Sequence, residues 1–386
     1  MNETTYKVCK KCVLDISVSD IEFDINGICN YCKKFDNEAL PLLKLSKKDK
    51  EFKFKSIIAD IKKKGKGRKY DCILGISGGV DSSYLALIAK RNGLRTLLVH
   101  FDNGWNSELS INNIEKIVDR CNFDLHTVVV DWEEFKNLQR AYLKSSVLDI
   151  EVPTDHLIVG ALYSIARKKR IKSILSGANV ATEFTMPKGW NFPMKGDYTN
   201  LKNIFKKYGE GDIEKLNTYS YYSLFINKNF RQILSRSLLN YTDYSKFHAK
   251  DELKKEFDWV DYGGKHFESI FTRFYQGYIL PKKFNIDKRR AHLSTLICSG
   301  EISRKNAINE LKLPPYDVKS QLSDKEYVLS KLGFSENEFE IIMKSPIRPH
   351  SDFGFESDNI YYKIFNRVAY FILFKFFYQF GILKNN

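Results

Sequence analysis

The stretch that most constrains this chain is Ser77-Gly78-Gly79-Val80-Asp81-Ser82-Ser83. An apolar run at 71–76 precedes it and reads as a short buried strand, and 84–90 continue as a helix. Two glycines and three hydroxyls therefore fall on a strand-to-helix turn. Gly78 and Gly79 permit torsions closed to other residues and leave room for a ligand against the main chain. The first helical amides face that space with partial positive charge, which favours a phosphate. Ser77, Ser82 and Ser83 can add hydroxyl donors, and Asp81 can hold a Mg²⁺ that bridges phosphate oxygens. The competing reading is a plain glycine turn with Asp81 or Ser82 as N-cap. No G-x-x-x-x-G-K-S/T occurs anywhere in the chain, so the turn is not a Walker A loop.

Downstream the chain alternates. Strands are expected at 95–101, 125–130 and 172–176, with helices at 107–120, 132–144 and 157–169. That rhythm predicts an α/β fold, a doubly wound and mostly parallel sheet whose ligands bind at the carboxyl ends of the strands. Ser77, Asp102 and Gly177 all fall at such ends and should line one crevice. His100 lies in an apolar strand and reads equally as a core histidine or a site residue.

Beyond Ala178 the rhythm breaks, and 185–245 mix Gly, Pro and aromatics without a clear period. Polar density rises at Tyr262-Gly263-Gly264-Lys265-His266-Phe267-Glu268-Ser269 and again at Asp287-Lys288-Arg289-Arg290-Ala291-His292. Between them Ile270, Phe271, Phe274 and Tyr278 form the apolar face of one helix. Lys265, His266, Arg289, Arg290 and His292 could present cations to an anionic substrate, or form a solvated helix surface. From 301 to about 349 the chain reads as short helices.

Upstream, Cys9-x-x-Cys12 and Cys29-x-x-Cys32 flank a loop containing Asn26-Gly27. Two such knuckles can bring four thiolates to one tetrahedral Zn²⁺, and a site with no open position is structural. So small a segment has little core of its own, so the metal would largely hold it folded. From 44 to 69 the chain is dense in Lys, with Phe54, Ile57, Ile58 and Ile61 on one helical face and Gly65-Lys66-Gly67 ending it. The expected organisation is a zinc ribbon at 1–40, a basic amphipathic connector at 41–69, a nucleotide core at 70–184, and a substrate-binding, mainly helical region at 185–386.

At 386 residues, 43% hydrophobic and 14% aromatic, the chain can form a full core. Its net charge of +15 invites a nucleic-acid reading. Most of that charge is Lys, in company with abundant Phe, Tyr, Asn and Ile, which fits compositional bias as well, so nucleic acid is not the expected partner. The start of the chain is polar, with no signal peptide. The apolar run at 368–378 is too short for a membrane span and is broken by Lys375, so a buried or partner-facing terminal helix is expected, with a peripheral membrane contact left open. These features predict a cytoplasmic protein with reduced cysteines.

The turn resembles the S-G-G-x-D-S loop of the PP-loop ATP pyrophosphatases, which split ATP to AMP and pyrophosphate. Over nearly its whole length the chain resembles the N-acetyl sugar amidotransferases of bacterial surface-glycan pathways, including O-antigen and pseudaminic or legionaminic acid synthesis. The resemblance runs through both cysteine knuckles, Ser77 to Ser83, and 100–107 (HFDNGWNS). It continues through Pro153-Thr154-Asp155-His156, and Ser176-Gly177-Ala178-Asn179 with Glu183. The segments 262–276 (YGGKHFESIFTRFYQ) and 287–292 (DKRRAH) complete it.

It implies a PP-loop, adenine nucleotide alpha hydrolase-like sheet. It also implies an ATP- and Mg²⁺-dependent reaction turning the acetamido group of a nucleotide-activated sugar into an acetamidino group. The amide oxygen attacks the α-phosphorus, pyrophosphate leaves, ammonia adds to the imidate carbon, and AMP departs. Asp81, Lys265, His266 and Arg273 are then the candidate catalytic residues. Ser77, Gly78, Gly79, Asp81, Ser82, Asp102, Gly177 and Arg289 are the candidate nucleotide contacts. Roles are not divided among Lys265, His266, Arg273 and Arg289.

The resemblance also implies separate glutaminase and ammonia-channel subunits, like the pair used in histidine biosynthesis. In keeping with that, residue 2 is Asn, and Cys72, Cys121 and Cys298 lack the setting of a glutaminase nucleophile. The competing class is a tRNA-modifying, thiolase-like PP-loop enzyme, which the net charge favours and the absence of a paired reactive cysteine disfavours. A zinc-ribbon binding module with an inactive core is a third class, disfavoured because every loop residue is present.

Overall fold

Cys72–Gly75 forms β1, the central strand of a five-stranded sheet in a computed structural model that describes residues 6–264, 267–360 and 362. β2 is Thr96–Asp102, β3 Asp124–Val129, β4 Ser173–Leu175 and β5 Leu234–Arg236. The order is β3-β2-β1-β4-β5, and every pairing is parallel. Ile73 stands opposite Leu97 on one side and Ile174 on the other.

Strand side chains point alternately to the two faces. Leu74 and Leu98 join one apolar cluster, with Leu85, Ile117 and Trp259, while Ile73, Leu97 and Val99 join another, with Ile165 and Ile174. Burial on both faces explains why β1 reads as an unbroken apolar run. β5 was not anticipated from sequence. Leu234-Ser235-Arg236 is three residues long and only half-buried, too short and polar to show a period.

The expected helices form within a few residues of their predicted bounds. Val80–Arg91 follows the glycine turn, Glu108–Cys121 is capped by Ser107, and Trp132–Ser145 by Asp131. Val152–Lys168 starts a turn earlier than expected because Pro153 fits the first turn of a helix, where no amide donor is needed. The basic connector is the helix Lys47–Gly65, and it buries Ile58 and Ile61 while its lysines face out.

The expected helix at 270–278 is interrupted. Ile270–Phe274 runs into a wide π turn at Tyr275–Ile279 before Leu280–Phe284. One extra residue per turn buries Tyr275 fully and shifts Gln276 and Gly277 to a cavity wall described below. A Cβ at Gly277 would sit 2.4 Å from the Tyr316 ring, so this position admits only glycine.

The N-terminal cysteine segment packs on the rest of the chain. Arg290 pairs with Asp15 at 2.8 Å and donates to the Val13 carbonyl, while Arg304 donates to the carbonyls of Cys9 and Cys12. Arg290, read from sequence as either a cation for substrate or part of a solvated helix surface, is instead a structural tether. Among the described residues no helix is long and apolar enough to cross a membrane. The aromatic run at 368–378 lies outside the described residues.

Candidate functional site

The chain leaves β1 toward β2 on one side and later returns to lay β4 on the other. The carboxyl ends of β1 and β4 therefore bound a crevice at the point where strand order reverses, where α/β sheets bind ligands. The glycine turn leaves β1 here. Gly78 has φ +75°, and a Cβ on it would lie 2.4 Å from the Ser110 carbonyl oxygen. Gly79 takes the N-cap position of Val80–Arg91 with no side-chain cap. The Ser77 hydroxyl accepts from the Gly79 amide at 3.2 Å and lies 3.3 Å from the Ser82 hydroxyl. Gly177, after β4, closes the crevice, since a Cβ there would come within 3.2 Å of the Asp81 Cβ. Ser77, Gly78, Gly79, Asp81, Ser82 and Gly177 are thus brought together. Asp102 ends β2 on the far side of β1 and accepts from the Gly104 amide and the Asn106 side chain, organising its own loop. His100 is buried between Ile76 and Asn106, with ring nitrogens 3.3 and 3.4 Å from them.

Residues that sequence reasoning passed over hold the turn. The Trp259 indole donates to the Gly78 carbonyl at 3.0 Å, and the Tyr262 hydroxyl accepts from the Val80 amide at 3.3 Å. The Tyr244 hydroxyl donates to the Asp81 carboxylate, and burial together with that negative charge pushes its pKa up, keeping it a donor. Asn179 caps the next short helix and reaches Asp81 at 3.5 Å. The lone aromatics at 244 and 259 carry no sequence signal, whereas Tyr262 and Asn179 lie in stretches already singled out there.

Asp81 opens into a cavity of about 620 Å³, the size of a small-molecule site. Gly264 and Phe267 line it, whereas Lys265 and His266 between them lie outside the described residues. Its far wall carries Lys288, Arg289, His292 and Tyr316. Arg273 is not among the lining residues: its guanidinium forms two bonds to Asp324 at 2.7 and 2.8 Å and lies 5.6 Å from the Phe267 and Tyr316 ring centres. Arg289 lines the cavity, yet its guanidinium is held by Asp287 and by the carbonyls of Glu310, Leu313 and Pro314. Both arginines, candidates for triphosphate or substrate charge, are thus already engaged by internal partners.

A buried charged cluster lies at the start of Val152–Lys168. Lys195 bridges Asp149, at 3.1 Å, and Asp155. Glu151 accepts from Thr272, and burial followed by the Asp155 charge pushes its carboxyl up to about 8. His156 bonds the Lys195 carbonyl and accepts from the Tyr219 amide, and burial pushes its pKa down to about 4, so it is a neutral clamp between two loops.

At the N-terminus, Cys9, Cys12, Cys29 and Cys32 place their sulfurs within 4.8 Å of one another, all buried. The Cys9–Cys32 and Cys12–Cys29 separations are 3.8 and 3.7 Å. Sulfurs about 2.3 Å from a shared tetrahedral zinc lie about 3.8 Å apart, so the set fits that ion. Cys298 stands outside the tetrahedron, 3.7 Å from Cys32. Cys72 and Cys121 are buried, and burial pushes them up to about 12 and about 11. No cysteine of the chain lines the cavity.

Comparison with known proteins locates two families. Residues 71–178 match the family described as queuosine biosynthesis protein QueC, and residues 268–369 match that described as LPS biosynthesis protein WbpG-like, C-terminal domain. A search of curated proteins found no match. Among solved structures the chain is similar to NMN synthetase from Francisella tularensis, at 15% identity over 60% of this chain and 93% of that one, TM-score 0.29. It is also similar to the NH3-dependent NAD synthetase from Campylobacter jejuni, at 14% identity over 55% and 95%, TM-score 0.29. Two separate segments of the chain are thus similar to known families, 71–178 to the QueC family and 268–369 to the WbpG-like C-terminal domain.

Proposed function

We propose that the protein is an ATP-dependent enzyme of surface-glycan synthesis, and specifically an amidotransferase that converts an acetamido group of a nucleotide-activated sugar into an acetamidino group. One observation carries the reading. The two family segments share one cavity: the QueC-family segment contributes Asp81, and the WbpG-like segment contributes Gln276, Gly277, Lys288, Arg289 and Tyr316. A phosphate-binding turn opening onto a wall of that kind suits the joining of ATP chemistry to a sugar substrate.

The turn's donors suit pyrophosphate. The Gly79 and Val80 amides are bonded to hydroxyls of Ser77 and Tyr262 rather than to backbone carbonyls, so a phosphate can replace those partners without breaking secondary structure. Ser77, Gly78, Gly79 and Ser82 hold the leaving pyrophosphate by charge stabilisation. Asp81, fixed by Tyr244 and Asn179, would hold Mg²⁺, which neutralises the charge that develops there. The amide oxygen attacks the α-phosphorus, because an amide oxygen leaves only once it is activated. Ammonia then adds to the imidate carbon, and AMP leaves with the former amide oxygen. Cys9, Cys12, Cys29 and Cys32 would hold zinc in a structural role. Ammonia would come from separate glutaminase and channel subunits. A sulfur-transferring relative is disfavoured, since no cysteine reaches the cavity.

The test incubates the protein with ATP, Mg²⁺, ammonium and a panel of UDP- and CMP-linked acetamido sugars. Mass spectrometry should show one sugar exchanging an oxygen for NH, with AMP and pyrophosphate released in equal amount. Release of ADP and phosphate would overturn the reading.

A further inference from the structure

The cations on the cavity wall are not equivalent. Lys250 pairs with Asp261 at 2.5 Å, and Arg289 is held by Asp287 and three carbonyls. Lys246 and His292 also have contacts of their own. Lys288 differs: it lines the cavity at 9% exposure, and its ammonium has neither a hydrogen bond nor an ion pair within the described residues. Of the carboxylates whose charge acts on it, Asp149, Asp155 and Glu151, the first two are directly bonded to Lys195. Burial pushes the Lys288 pKa down, the direction expected of an ammonium stripped of water without a bonded partner. An ammonium on a cavity wall that makes no bond within the protein has its donors available to an anionic ligand. Lys288 is the N-cap of Arg289–Ser299, and its carbonyl accepts from the Ala291 and His292 amides, which anchors its backbone at the cavity wall.

We infer that Lys288 is the anion-recognition residue of the cavity, donating its ammonium to a phosphate oxygen of the ligand that lies between it and Asp81. This deepens the amidotransferase reading and rests on it for the identity of the ligand. The phosphate has two sources, ATP itself or the diphosphate of the nucleotide sugar, and the same chemistry serves both. An ammonium suits the role because it is a point charge with three rotatable donors, able to follow a phosphate without a fixed planar partner.

The test measures equilibrium binding by calorimetry, on the full chain, for three probes: inorganic pyrophosphate, the Mg²⁺ complex of α,β-methylene-ATP, and a UDP-linked acetamido sugar. Wild type, Lys288→Met and Lys288→Arg are compared, with melting temperatures recorded for each. At least one probe should bind Lys288→Met tenfold or more weakly while Lys288→Arg recovers most of that loss. A loss confined to the ATP analogue assigns the contact to ATP, and one confined to the sugar assigns it to the acceptor. Should Lys288→Met fail to fold, lysine acylation of the wild type read by mass spectrometry replaces it, and Lys288 should be protected by a saturating probe. The inference is overturned if all probes bind the folded Met variant within twofold of wild type. It also falls if wild type binds none of them, or if no probe protects Lys288. The two proposals separate cleanly. Weakened binding of the ATP analogue without conversion of any sugar sinks the amidotransferase reading alone, whereas conversion with unaltered affinities in Lys288→Met sinks the Lys288 assignment alone.

Discussion

The two sides of the cavity are built on opposite principles. On the sheet side Asp81 reaches the cavity from a turn shaped by backbone at Gly78 and Gly79 and closed in by Gly177, with side chains of Trp259, Tyr244 and Tyr262 bonded to that turn. On the helical side the wall sets Lys288, Arg289 and His292 among apolar side chains, and Arg289 is spent on Asp287, just as Arg273, off the wall, is spent on Asp324. A glycine turn stands out in a sequence because a positive φ and a close backbone approach, as at Gly78, shut out other residues. A cation does not, because a basic residue in a helix serves packing, pairing or ligand equally well.

The sharpest way to break this contrast is at Asp81. Asp81→Asn keeps the shape and the contact with Tyr244 but removes the charge, so pyrophosphate release should fall by at least about a hundredfold with melting unchanged. A drop below tenfold would move the magnesium role elsewhere.

Next comes Cys29→Ser in the cysteine cluster. Elemental analysis should show loss of one zinc per chain, and because metal binding supplies about 10 kcal/mol of folding free energy in isolated zinc modules, the segment should unfold. The damage should spread to the helical wall through the Arg290–Asp15 and Arg304 contacts, read as lost hydrogen-exchange protection in Arg289–Ser299. Unchanged protection there would show the two regions to be uncoupled.

Arg273→Met tests whether that arginine is structural. Leaving Asp324 buried and unpaired should cost about 3 kcal/mol, while the KM for ATP stays within about twofold. The double variant Arg273→Met with Asp324→Leu should regain part of the loss. A KM increase above tenfold with normal stability would return Arg273 to the ligand site.

The last test concerns Glu151, whose effect is spread over pH. Its folded carboxyl holds a proton up to about pH 8, while the unfolded chain releases it near 4.5. In that window the folded state binds more protons than the unfolded one, so stability falls as pH rises, by at most about 1.4 kcal/mol per pH unit, and levels off above it. Glu151→Gln removes this slope. Its melting advantage over wild type should therefore grow between pH 5 and pH 8, and parallel curves would show the carboxyl to be ionised in the fold.

Much of the sheet side was legible in the chain. The strand before Ser77, the helices 80–91 and 108–121, and the convergence of Ser77 with Gly177 follow from local period and the carboxyl-end rule. β5 was not legible, because a three-residue strand has no period and gains its hydrogen bonds only from β4. The π turn at Tyr275–Ile279 was equally silent, since a single added residue leaves the 3.6-residue pattern almost intact.

What the sequence by itself determined is whatever depends on neighbours in the chain: the glycine turn, the knuckle spacing of Cys9, Cys12, Cys29 and Cys32, and the alternation that builds a parallel sheet. What only the tertiary structure decided is which charges are free. Asp324 lies 51 residues from Arg273, and Asp15 lies 275 residues from Arg290, so no local pattern shows these pairs. Coulombic pairing acts through space, and a buried ammonium such as Lys288 stands out only when every neighbouring cation has been matched to its partner.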